Sequence, residues 1–284
     1  MTPVDLVVPA TEAEALAELA RAVPGTVAIL AGGTDLLLDL DDRRLDPRRL
    51  ISLRRLPWAR HRWDAGGLTL GSTEPLSSLE ADEELPQRLP AFAQAIAAVG
   101  SPALRRQATV GGNLGRAAPA SDLTPVLLAL DAEVELVGPT GVRRLLLDRF
   151  LRGSRDTALG HEELIRSVRI PEARPSSAYL WQRVRPANDI SQIGVTVAYS
   201  PGDGRWRLSL GGVPPRPVLV PESAGELHGP RPGEAEVAAA AERLSKHPGL
   251  VADRRASDEH RRRLASTLCS RAVARAVPRP GGRP

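Results

Sequence analysis

Apolar and polar positions alternate along this chain with two different rhythms. Residues 11–22, TEAEALAELARA, repeat apolar positions at helical spacing behind Thr11, with Glu14 at the capping-box position, and predict a short helix. TVAILAGG then reads as a buried strand that runs into a glycine turn, and TDLLLDL behind it reads as a helix start. RRLISLRRLP predicts a second strand and AGGLTLGST an alternating third. A helix is expected over 86–99, stopped by Gly100 and Pro102. In ATVGGNLGRAAPASDLTPVLLAL, ATV reads as a strand end, GGN as a turn and SDLTPVLLAL as a helix; AEVELVG and GVRRLLLDRF then read as a hairpin.

IPEARPSS, residues 170–177, is the best boundary, with two prolines and small polar residues after the strand LIRSVRI. Beyond it AYLWQRVRP, ISQIGVTVAYS and RWRLSLGGV read as strands, the last two joined by the turn PGDG, and helices are expected at about 233–246 and 257–277. The tail PRPGGRP reads as disordered. Strands and helices alternate in the first part, an α/β or α+β domain, and the second part reads as a small antiparallel sheet covered by helices, an α+β chain overall.

Composition narrows the chemistry. At 284 residues, 42% of them hydrophobic and 25% charged, the chain is globular and long enough for one large domain or two modest ones. Its start lacks the pattern of a signal peptide and no apolar run reaches the length of a membrane span, so a cytoplasmic protein is the default expectation. A single cysteine, Cys269, builds neither a disulfide framework nor an iron–sulfur cluster and reads as a buried small hydrophobe; the five histidines show no compact ligand spacing, so no metal site is expected on this chain. Of 38 basic residues only Lys246 is a lysine, a composition bias, and the arginines crowding the C-terminal helix come without a nucleic-acid motif. They read as a solvated or partner-facing helix, not as a nucleic-acid surface.

Two segments then stand out. LAGGTDLL (30–37) and TVGGNL (109–114) each place Gly-Gly after a strand, followed by an oxygen-bearing side chain: Thr34 with Asp35 in the first, Asn113 in the second. Without Cβ atoms, adjacent amides can converge on an anion. Neither loop matches the dinucleotide or P-loop spacing. A lone Gly-Gly pair is usually only a tight turn, but two matching pairs point to one shared ligand. Asp122, at the cap position of the next helix, could bind ribose hydroxyls or simply cap that helix.

These loops, with ELIRSVRIP, NDISQIGVTVAY, LGGVPPRPV and ADRRASDEHRRRLASTLCSRAVARA in this order and spacing, resemble the FAD-binding medium subunit of the molybdenum hydroxylases, the family of carbon monoxide dehydrogenase and xanthine dehydrogenase flavoproteins. The resemblance runs almost end to end. It implies a PCMH-type FAD-binding domain over 1–173, with subdomains of about 1–56 and 57–173, and a C-terminal flavoprotein domain over 174–278. It places Leu30, Ala31, Gly32, Gly33, Thr34, Asp35 and Leu36 on one side of a non-covalent FAD, with Ala31 to Asp35 around its pyrophosphate. It places Thr109, Gly111, Gly112 and Asn113 on the other side, Asp122 near the ribityl or ribose hydroxyls, and Ile165 against the flavin ring.

As partners it implies a molybdenum-cofactor large subunit and a 2Fe-2S small subunit, with electrons passing through FAD to an acceptor such as NAD or oxygen. A freestanding FAD-dependent oxidoreductase with its own small-molecule substrate is the alternative, and a flavin-free relative of the fold is a third. No His–carboxylate pair or nucleophile motif identifies a catalytic residue. Two departures from the family pattern are expected to matter. Trp181, Gln182 or Arg183 occupies the neighbourhood of a usual flavin-proximal lysine, and Arg116 stands where small or amide residues are common; Arg116 could contact a phosphate or a partner chain, or be merely exposed, and the last is the expectation.

Overall fold

The computed structural model describes residues 4–65, 67–185 and 189–277. The tail expected to be disordered lies outside them. Three sheets of three or more strands organise the chain. The first is parallel, with Arg49–Ser52 between Asp5–Val7 and Val27–Leu30. Helix Glu12–Ala20 crosses over between its outer two strands, capped by Thr11 as predicted, with the hydroxyl accepting from the Glu14 amide.

The second sheet has five antiparallel strands in the order His61–Asp64, Gly67–Gly71, Leu164–Ile170, Glu133–Gly138 and Gly141–Leu146. Its long central strand carries a bulge between Ile165 and Ser167. One extra residue there lets Ile165 turn inward, nearly buried, while the Arg166 side chain stays half exposed. The segment read as one hairpin arm, 141–150, is strand only to Leu146 and closes as a helical turn Leu147–Phe150 that buries Leu147 and Phe150.

Two other sequence readings are corrected. The helix expected over 86–99 is two helices, Leu85–Arg88 and Pro90–Ala98, divided at Leu89. Leu89 sits at φ −140°, ψ 61° because the residue before a proline is driven from helical geometry. The stretch read as strand end and turn, by contrast, is helix from Val110 to Arg116. Thr109 caps it, its hydroxyl accepting from the Gly112 amide at 3.1 Å, and Ala117 ends it in the left-handed region at φ 46°.

The third sheet, Ser177–Gln182, Ile193–Ser200, Arg205–Gly211 and Val218–Leu219, is antiparallel throughout. Strand Ile193–Ser200 is buried on both faces. Ile193, Val195, Val197, Leu208 and Leu210 pack under helices Glu234–Ser245 and Asp258–Ala276, while Tyr179 and Ala198 join the core of the second subdomain. Ser209 donates to the Pro125 carbonyl at 2.6 Å, and a Cβ on Gly211 would stand 2.8 Å from the Pro125 ring. The C-terminal sheet therefore lies directly on helix Leu123–Ala129.

Candidate functional site

The two glycine segments face one another across a cleft of about 300 Å³. The first runs off the C-terminal end of strand Val27–Leu30 into helix Leu36–Asp41. Gly33 takes φ +75°, a conformation open to glycine, and the amides of Gly33, Thr34 and Asp35 find no acceptor among the described residues. Gly32 packs against the neighbouring subdomain so closely that a Cβ there would stand 1.9 Å from the Gln107 carbonyl oxygen.

The second segment is the first turn of helix Val110–Arg116. Gly111 donates to the Ser72 carbonyl at 2.9 Å, and a Cβ on it would stand 2.5 Å from Ser72 Cβ. Gly112 faces the first loop: a Cβ there would approach Thr109 Oγ1 to 2.9 Å and Ala31 Cβ to 3.7 Å. The Asn113 amide oxygen accepts from Ser121 at 2.6 Å, which fixes the side chain and leaves its NH2 end as the donor. Ser72 Oγ is a buried atom with no partner among the described residues, and Ser72 lines the same cleft.

Of the residues singled out in the sequence, Ala31, Gly32, Gly33, Thr34, Asp35, Leu36, Thr109, Gly111, Gly112, Asn113 and Ile165 all line this cleft. Leu30 stands behind it, its Cδ1 3.0 Å from where a Gly33 Cβ would lie. Leu53, Leu159 and Leu164 add apolar wall beside Ile165. These groups fit a diphosphate joined to an apolar ring: the unpartnered amides of Gly33, Thr34 and Asp35, a fixed carboxamide, a free hydroxyl and an aliphatic wall, with no lysine needed.

Asp122 is not gathered into the cleft. Its carboxylate instead accepts from Tyr179 at 2.6 Å, Ser191 at 2.6 Å and Arg183 at 2.8 Å, and it makes no side-chain cap to its own helix. Burial pushes its pKa up, opposed by these three donors. Arg183 also donates to the Ala98 carbonyl, and its guanidinium lies 5.6 Å from the Trp181 ring, which in turn stacks on Tyr179 at 5.3 Å. The cation in the neighbourhood of the family's lysine is thus committed to Asp122.

Arg116 is not an exposed side chain either. It lines the cleft and pairs through both Nη atoms with Asp39, a carboxylate 1% exposed in the middle of LLLDLD. The sequence signal for Asp39 was present: an acid set among leucines at helical spacing requires a buried partner. Nothing local could show that the partner lay at 116.

The model of the FAD binding domain in molybdopterin dehydrogenase matches residues 2–173, and that of the CO dehydrogenase flavoprotein C-terminal domain matches 178–276. The chain belongs to the FAD-binding subunits of the molybdenum hydroxylase family and is an FAD-dependent dehydrogenase subunit. It is 28% identical to the xanthine dehydrogenase FAD-binding subunit of Escherichia coli O157:H7 over 267 residues, covering 90% of each chain. It is 31% identical to the nicotinate dehydrogenase FAD-subunit of Eubacterium barkeri over 225 residues, 76% of this chain and 75% of that one. The reconstituted CO dehydrogenase from Oligotropha carboxidovorans has the same fold, with a TM-score of 0.90 at 24% identity over 98% of this chain and 99% of that one. No helix among the described residues is long and apolar enough to cross a membrane.

Proposed function

We propose that this chain is the electron-transfer subunit of a molybdenum hydroxylase-type oxidoreductase. It works in a complex with a molybdenum-binding large subunit and a 2Fe-2S small subunit, and passes electrons from the partner clusters to an acceptor such as NAD or oxygen. The observation that carries this reading is the meeting of the two glycine segments in one cleft, with an unpartnered Ser72 hydroxyl in its wall.

FAD, when bound, supplies the redox chemistry that couples one-electron carriers to the acceptor. The unpartnered amides of Gly33, Thr34 and Asp35 would hold its pyrophosphate from one side and the Asn113 carboxamide NH2 from the other, and neutral donors suffice for that charge when their geometry is fixed beforehand. Ile165, aimed by the bulge and flanked by Leu159 and Leu164, offers the flavin ring an apolar face and keeps water from it. Asp122 serves as the post to which the C-terminal domain is tied, in place of a sugar contact.

The absorbance spectrum of the purified chain, with mass spectrometry of the released cofactor, tests the reading. FAD in about one copy per chain is the expected result. FMN, or no flavin in a folded sample supplemented with FAD, overturns it. Co-expression with the partner chains then tests the assembly: a single co-purifying complex is expected.

A further inference from the structure

Arg116 and Asp39 stand on opposite jaws of the cleft. Asp39 belongs to helix Leu36–Asp41, which continues the first glycine loop, and Arg116 ends helix Val110–Arg116, which carries the second glycine pair. The guanidinium donates through Nη1 to one oxygen of the Asp39 carboxylate and through Nη2 to the other at 3.1 Å. Its Nε lies 3.6 Å from Asp35 Oδ1, in the first loop itself. The two jaws belong to different sheets: helix Leu36–Asp41 follows strand Val27–Leu30 of the parallel sheet, and helix Val110–Arg116 packs on the five-stranded sheet. A two-pronged ion pair is the kind of contact that fixes both distance and orientation between such elements.

The setting adds to this. Asp39 is 1% exposed and Arg116 20%, so the pair is shielded from water and salt on the acid's side. Arg44 and Arg155 stand 3.6 and 3.8 Å from Asp39 Oδ1 and hold the carboxylate in its charged form. Bonding to Arg116 lowers the pKa of Asp39 against the effect of burial, so the pair persists into acid.

We propose that Arg116 and Asp39 form a clasp that fixes the spacing of the two glycine segments, making both of them positioning residues for the diphosphate ligand. This rests on the reading of the cleft as the FAD site. Loss of the clasp lets the jaws separate, and the ligand then leaves faster with none of its own donors removed.

The test is the rate of FAD release from the full chain, followed by the recovery of flavin fluorescence, for the wild type, Arg116→Gln, Asp39→Asn, the double variant and Arg116→Lys. Each of the first two single variants is expected to release FAD about tenfold faster, and the double variant no faster than either, because all three open the same clasp. Arg116→Lys, which keeps the charge with one prong, is expected to fall between; it also carries the test should Asp39→Asn fail to fold. Faster release in Arg116→Gln with none in Asp39→Asn would mark Arg116 as a direct phosphate contact and overturn the clasp. Equal release from all folded chains, with only their thermal stability changed, would also overturn it. A wild type that binds no FAD would sink the reading of the cleft itself, an outcome separate from either of these.

Discussion

Arg183 donates through Nη2 to Asp122 Oδ2 at 2.8 Å, and the two side chains are only 7% and 10% exposed. The pair joins the residue just past the first strand of the C-terminal sheet, Ser177–Gln182, to the head of helix Leu123–Ala129 in the FAD-binding domain. Tyr179 and Ser191 complete the attachment on the other oxygen. Three donors from one domain thus close on one carboxylate of the other, which explains why so short a connection, 171–176, can carry a fixed arrangement.

Removing the arginine strands that charge. Arg183→Met is expected to cost about 3 kcal/mol of unfolding free energy, as for other buried ion pairs broken from one side. Tyr179→Phe removes one donor of three and is expected to cost about 1 kcal/mol. Burial, together with the neighbouring Asp122, already holds the Tyr179 phenol far above its ordinary ionisation range, so the hydroxyl is a donor at every working pH. Urea unfolding of the two variants checks both figures; equal losses would show that Arg183 acts by packing alone.

The glycines separate fold from function. Gly112→Val places bulk where Thr109 Oγ1 would be 2.9 Å away and Ala31 Cβ 3.7 Å, inside the gap between the jaws, at a position with ordinary φ. Flavin retention is expected to drop at least about tenfold while circular dichroism stays that of the wild type, since each about 1.4 kcal/mol of lost binding is a factor of ten. Gly32→Ala instead sets a Cβ 1.9 Å from the Gln107 backbone carbonyl oxygen, a clash that only a backbone shift relieves, and is expected to give a misfolded or aggregated chain. A Gly112→Val protein that keeps its flavin would remove the second segment from the site.

Much of this architecture could be read from the chain, and the failures have physical causes. Thr11 with Glu14 announced its helix because the capping signal is local. Thr109 caps a helix in the same way, but two glycines in its first turn carry the sequence signature of a loop, and only the Ser72 carbonyl and the first jaw packed against them make helix the lower state. Pro90 announced a break that the apolar periodicity of 86–99 hid. The pairs Arg116–Asp39 and Arg183–Asp122 join residues distant in the chain, and no single-sequence pattern encodes which acid meets which arginine. The two glycine segments were legible as the lining of one cleft because their signal sits in adjacent residues.

Cys269 should be silent in the native protein. It lies within the core under the C-terminal sheet, 0% exposed, and burial pushes its thiol up to about 12. The thiolate is the reactive form, so neither exposure nor ionisation favours attack. Native protein is expected to leave Ellman's reagent unreacted over hours and to titrate one thiol per chain after unfolding in guanidinium. Rapid reaction of the native chain would show that helix Asp258–Ala276 opens from the sheet.

The acid limb of stability is expected to report on Asp253. Its Oδ2 pairs with Arg261 Nη2 at 2.8 Å, and its Oδ1 accepts from the amides of Arg255 and Ala256 at 2.8 and 3.1 Å. Arg261 in turn binds the carbonyls of Gln192 and Gly212, so the carboxylate anchors the start of the last helix to the sheet. Burial alone would raise this carboxyl; the Arg255 amide and the Arg261 guanidinium outweigh it and bring it from 3.8 down to about 2. A carboxyl depressed on folding contributes stability that is fully present above its unfolded value and is lost as pH falls through its folded one. The window is therefore about pH 4 down to about pH 2. Asp253→Asn keeps an oxygen for the two amides and removes the charge. With the side chain 38% exposed and solvent screening the pair, it should be about 1 kcal/mol less stable than the wild type near neutral pH. That gap should close across the window as the wild-type carboxylate takes up its proton. A gap that stays constant from neutral pH to about pH 2 would mean that Asp253 acts through shape and hydrogen bonds, with its charge contributing nothing.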